Sequence, residues 1–101
     1  MVDHWIEGVD ISVYQGSVDQ PTWERLYQQG QRVAVIGSWH GLSSNPHAEG
    51  NLARAEAAGL TIATYIALNR LPGRVAVENG KIACGRMWPK LAFVAIDCEI
   101  D

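Results

Sequence analysis

Four stretches of apolar, mostly small or β-branched residues punctuate the chain, separated by segments whose apolar positions recur at helical spacing. Gly8–Ser12 (GVDIS) alternates and runs into the turn-prone Tyr14-Gln15-Gly16-Ser17, which predicts a first strand. Arg32–Trp39 (RVAVIGSW), Thr61–Leu68 (TIATYIAL) and Leu91–Ile100 (LAFVAIDCEI) are near-continuous apolar runs, the pattern of parallel strands covered on both faces.

Helices are expected in the gaps. Gln20–Tyr27 has a proline in its first turn, Trp23, Leu26 and Tyr27 at helical spacing, and Gly30 beyond its end. Ala48–Ala58 is the clearest helix, with Leu52 and Ala55 on one stripe, extended by Ala48 and Gly59, and Gly59 as its stop. Val75–Cys84 carries a weaker helical pattern interrupted by Gly80, and His40–Pro46 reads as a polar loop. His47 falls near a helix N-terminus and His4 in the N-terminal tail.

The expected order is therefore β-α-β-α-β-α-β in a single domain over residues 1–101, with short connections and neither a linker nor a repeat. Alternation of this kind requires parallel strands joined by right-handed crossovers. Two α/β architectures satisfy it: part of a (β/α)8 barrel, or a small doubly wound open sheet. The first strand-to-helix turn, GVDISVYQG, has neither the GxGxxG nor the GxxxxGK[ST] arrangement that presents backbone amides to phosphate, which argues against nucleotide binding.

Composition narrows the function classes. The chain has 101 residues, 48% hydrophobic and 19% charged, with a net charge of −3, as in an ordinary globular domain. No basic patch invites nucleic acid, and no run of about 18 apolar residues suggests a membrane span. Met1 to Gly8, with Asp3 and Glu7, lacks the apolar stretch of a signal peptide. Cys84 and Cys98 show no zinc spacing, and two free thiols are the commoner state for such a pair than a disulfide. A whole barrel takes about 250 residues, so this length corresponds to about half of one.

The most informative feature is Asp97-Cys98-Glu99 at the end of the last apolar run. Side chains two apart on a strand share a face, so the two carboxylates project together while Cys98 faces the helix layer. Strand C-termini build the active site of β/α barrels. Asp10 is a third acid, placed inside the first strand where a charge is costly unless it points into a polar site. Clustered carboxylates drive their proton affinities apart, leaving one as a general acid and another ionised, which is what glycoside hydrolysis needs. A divalent metal is the competing use of three acids, although no His joins them at ligand spacing; the plain structural alternative is a strand that has surfaced with its acids solvated. Tyr14, Trp39 and Tyr65 stand near strand ends where rings stack on sugars, although each such residue is individually more often a packing residue. His40, beside Trp39, is the one histidine that falls near this region.

The residues also resemble a family. Gly8-Val9-Asp10-Ile11-Ser12 with Tyr14-Gln15-Gly16, followed by Val18-Asp19 and Trp23, is similar to the opening of glycoside hydrolase family 25, the Chalaropsis-type lysozymes. Asn45-Pro46-His47-Ala48, Asn51-Leu52-Ala53-Arg54-Ala55 and Ala58-Gly59-Leu60 are similar to its second helix, and Asp97-Cys98-Glu99 to its Asp-x-Glu signature. The resemblance implies the N-terminal half of a barrel muramidase that cleaves the β-1,4 bond between N-acetylmuramic acid and N-acetylglucosamine in peptidoglycan, outside the producing cell or on phage release, without a cofactor. Glu99 is then the general acid, Asp97 the group that stabilises charge or orients the substrate's N-acetyl group, and Asp10 part of the acidic floor. Tyr65, Trp39, Tyr14 and Gln15 form the expected substrate-binding set.

Two departures accompany the resemblance. The family's Lys-Ala-Thr/Ser-Glu segment is replaced by Gly37-Ser38-Trp39-His40, and its Tyr-His-Phe by Tyr65-Ile66-Ala67. They motivate an alternative reading as a non-catalytic carbohydrate-binding or structural half-barrel. A third reading is an unrelated open-sheet interaction domain with surface acids. A half-barrel has two exposed sheet edges and an apolar inner face, which predicts self-association.

Overall fold

The computed structural model describes residues 8–11, 16–40, 43–68 and 72–97, with backbone placement alone for 8–11, His40 and Asp97. Among the described residues the chain is an α/β protein of five strands and three α-helices: β1 (Gly8–Ile11), α1 (Gln20–Gln28), β2 (Val33–His40), β3 (Ser43–Ser44), α2 (Ala48–Ala57), β4 (Thr61–Ala67), α3 (Gly73–Cys84) and β5 (Val94–Asp97). A 3-10 helix, Gly85–Lys90, joins α3 to β5. The sheet order is β1-β2-β4-β5, with every neighbouring pair on that path parallel.

Two features differ from the expected all-parallel order. The predicted loop His40–Pro46 contains β3, which pairs antiparallel with the end of β2 (Trp39 with Ser44, His40 with Ser43) and makes the sheet mixed. A two-residue strand has no periodicity to detect, and its place is fixed by Asn45, whose N–H donates to the Ser38 carbonyl at 3.0 Å. The last strand also starts later than the apolar run Leu91–Ile100 suggests. Leu91 leaves the 3-10 helix to pack against the core, and the ladder with β4 begins only at Val94.

All three helices contribute to a single core on one side of the sheet. Trp23 of α1, Ala48, Leu52 and Ala55 of α2, Cys84 of α3 and Met87 surround Ala34 and Ile36 of β2 and Ile62 of β4. These strand positions are all even-numbered, and side chains alternate faces along a strand, so the cluster lies on one face. Ile66, also even, packs against α3: a Cβ at Gly80 would fall 2.6 Å from its Cδ1. The glycine that weakens the helical pattern is thus what allows α3 to approach the sheet. The opposite face carries Val33, Val35, Gly37, Ala63, Tyr65, Ala67 and Ala95, of which Gly37, Ala63 and Ala67 are buried, though outside the cluster that the helices cover.

Local signals explain the helix starts. Asp19 caps α1, its Oδ1 accepting from the Thr22 N–H at 3.1 Å, with Pro21 in the first turn where no donor is lost. On α2 the buried stripe includes Asn51 besides the apolar residues, whereas Gly59 lies in the exposed turn rather than on the stripe. Asn51 Nδ2 donates to the Gly16 carbonyl at 2.9 Å and its Oδ1 accepts from the Val18 N–H at 2.8 Å. Arg54 Nε donates to the Val18 carbonyl at 2.6 Å and Arg54 Nη2 to Ser17 Oγ at 2.9 Å. The segment that follows β1 is thereby tied to α2.

Candidate functional site

In parallel strands the register decides which residues stand side by side. Asp10 of β1 is level with Val35 and Ala63, Gly37 with Tyr65 and Ala95, and His40 with Ala67 and Asp97. Asp97 ends β5 at the C-terminal edge of the sheet, on a parallel strand as expected. Asp10 lies four positions further back when counted along β4, from Ala67 to Ala63. At about 3.3 Å per residue that offset is on the order of 13 Å along the strand direction. Tyr14, Gln15 and Glu99 lie outside the described residues, as does Cys98.

The end of β2 is irregular. The register shifts between Gly37 and Trp39, so that Trp39 stands level with Ile66 and His40 takes the row of Ala67. A bulge of this kind re-aims side chains at sheet rims. Asn45, buried at 4% exposure, holds it: Nδ2 donates to the Gly37 carbonyl at 2.8 Å, while Oδ1 accepts from the His47 N–H at 2.9 Å. Trp39 is half-buried, and its enclosed indole Nε1 meets no hydrogen-bond acceptor among the described residues. His47 occupies the N-cap of α2 and makes no side-chain capping bond.

Tyr65, also half-buried, lies across the backbone of Gly37. A Cβ on Gly37 would stand 2.6 Å from Tyr65 Cζ and 2.7 Å from its Oη, closer than any side chain is accommodated. The ring and its hydroxyl therefore rest over β2, and the absence of a side chain at position 37 is what makes room for them.

Beneath the bulge, on the helix side, is a buried polar cluster that the sequence patterns do not reveal. Thr64 Oγ1 donates to the Ile36 carbonyl at 2.6 Å and bonds Ser38 Oγ at 2.8 Å. Cys84 joins them as a buried free thiol. Burial pushes its pKa up, and hydrogen bonding with Thr64 and Ser38 offsets only part of that shift, so the thiol stays protonated. Among the described residues no three His, Cys, Asp or Glu side chains are grouped to hold a metal ion. No helix among them is long and apolar enough to cross a membrane.

Asn45, Gly37 and Ser38 shape this end of the sheet, yet none of them stands out as a functional residue in the sequence. The available signals were the isolated glycine inside a strand run, a mark of close approach by another group, and Asn45-Pro46 in the segment that follows the run. Compared with protein-family models, curated proteins and solved structures, the chain matches none of them.

Proposed function

We propose that this chain is the first half of a (β/α) barrel muramidase, with Glu99 and Asp97 as its acidic pair and Asp10 beside them. The observation that carries the reading is the one-sided packing of a sheet whose parallel strands follow chain order. In a doubly wound sheet helices cover both faces, whereas a barrel keeps them outside and fills the other face with the barrel interior. Here the core cluster occupies one face of β2 and β4 only.

The offset between Asp10 and Asp97 fits the same geometry. A barrel of eight strands and shear eight staggers neighbours by about one residue per strand. The three steps from β1 to β5 then absorb about three of the four residues that separate the two acids in register. In this arrangement Glu99 protonates the glycosidic oxygen as the bond breaks, and ionised Asp97 stabilises the positive charge growing on the sugar ring or orients its N-acetyl group. Tyr65 and Trp39, with Tyr14 and Gln15, bind the glycan strand.

The test is release of reducing sugar from purified peptidoglycan by this chain and by its Glu99→Gln variant. Release that the substitution abolishes is the expected result; release that is unaffected by it would remove Glu99 from the chemistry. A second reading, a carbohydrate-binding half-barrel without turnover, is favoured by the rebuilt end of β2, where Gly37, the bulge and His40 replace the segment expected of the hydrolases. It predicts glycan binding that survives Glu99→Gln with no sugar released by either form.

A further inference from the structure

We propose that His40 is a positioning residue of the acidic site, set by the β2 bulge in the row of Asp97, where its imidazolium holds that carboxylate ionised. The inference rests on the muramidase reading and deepens it, because it assigns which of the two acids stays charged. With Gly37 level with Tyr65, a regular strand would bring Trp39 level with Ala67 and leave His40 one position beyond. The extra residue at Ser38 delays β2 by one position, so Trp39 falls level with Ile66 and His40 with Ala67. Ala67 is in turn level with Asp97. Partners in register share a face, so the slip transfers His40 from the helix-covered face to the face of Tyr65 and Ala67.

The bulge is fastened from both sides. Asn45 Nδ2 donates to the Gly37 carbonyl at 2.8 Å and the Asn45 N–H to the Ser38 carbonyl at 3.0 Å. On the helix side the fully buried Ser38 hydroxyl bonds Thr64 Oγ1 at 2.8 Å, and Thr64 Oγ1 donates to the Ile36 carbonyl at 2.6 Å. The row that the bulge creates is therefore fixed with it. From His40 to Asp97 is two strand steps, about 10 Å between Cα atoms. Opposite charges at that separation near a surface move each other's titration by about half a pH unit in dilute salt. Of two acids that share a site only one stays ionised readily, and a cation in the row of Asp97 favours Asp97, leaving the proton on Glu99. Around His40, β3 brings Ser43, β4 brings Ala67, and Tyr65 stands in the row of Gly37. The helices of the other face bring His47 and Glu49 on α2 and Arg74, Glu78 and Lys81 on α3. All of these are unchanged in a variant of Asp97 alone, so comparison with it isolates the pair.

The experiment follows the three histidines of the full chain by NMR as pH is varied in dilute salt, His40 being the signal missing from His40→Gln. Release of reducing sugar from peptidoglycan is measured over the same pH range. The His40 midpoint falls by about half a pH unit in Asp97→Asn, and the Asp97 carboxyl carbon titrates higher by a similar amount in His40→Gln. The second measurement decides by itself if Asp97→Asn does not fold. Midpoints that neither substitution moves overturn the proposal. Where sugar is released, the acid limb of its pH profile moves to higher pH in His40→Gln, and a limb that stays in place overturns the role of His40. Coupled midpoints with no sugar released by any form uphold the pair and remove the muramidase. Release that Glu99→Gln abolishes, with uncoupled midpoints, overturns the pair and leaves the muramidase standing.

Discussion

Gly80 of α3 presses against Ile66 of β4 so closely that a Cβ on the glycine would stand 2.6 Å from Ile66 Cδ1 and 2.9 Å from Cγ1. On helix propensity alone Gly80→Ala would stabilise α3 by about 1 kcal/mol. Overpacking a close-packed contact costs about 1–3 kcal/mol and outweighs that gain, because Ile66 is fully buried and has nowhere to move. Urea denaturation of Gly80→Ala should therefore show a loss of stability. Adding Ile66→Val, which deletes Cδ1, should return part of it; additive losses would show that the two residues do not meet.

Asn51 is the polar member of the buried stripe of α2, and its amide serves the Gly16 carbonyl and the Val18 N–H. Asn51→Ala strands both backbone groups at a partly buried site, a cost of about 1–3 kcal/mol. Its urea midpoint should fall clearly below wild type. A change within a few tenths of a kcal/mol would mean that water replaces the amide.

Cys84 links stability to alkaline pH. Its folded pKa is raised above an ordinary value of 9.0, chiefly by burial. The folded state therefore favours the protonated thiol, and the resulting stability is fully present below about pH 9 and is lost as pH rises through the folded pKa. Native protein should react slowly with thiol reagents at Cys84. Its stability should decline from pH 9 upward more steeply than that of Cys84→Ala, with parallel slopes as the contrary result.

β1 and β5 are the outer strands of the parallel path, and Phe93 and Ile96 beside and within β5 are 48% and 44% exposed. An edge strand is a template for another strand unless charges or bulges blunt it, and β1 and β5 carry one acid each, Asp10 and Asp97, among otherwise apolar or glycine positions. Light scattering at micromolar concentration should report self-association, and Ile96→Lys should shift the population toward monomer. A wild-type monomer at that concentration would show that these edges do not pair.

The sequence announced the alternation of strands and helices, and every long element appears within a few residues of its expected place. Apolar runs and helical stripes are repeated signals, each reinforced by several residues. The 3-10 helix and β3 carried no such repetition, and Gly80 weakened the very helix it serves. At the site, Asp97 was legible as an acid closing an apolar strand, whereas the seat of Tyr65 was not, because it depends on a residue 28 positions away that contributes only the absence of a side chain.

By itself, then, the chain determined its α/β class and the parallel pairing of its main strands, since period and local capping are properties of neighbouring residues. Only the tertiary structure decided that the helices share one face, that β2 bulges at Ser38 and that Gly37 receives the Tyr65 ring. Those outcomes arise from packing between segments distant in sequence, where one missing methyl group or one buried amide selects among backbones that local pattern leaves equivalent.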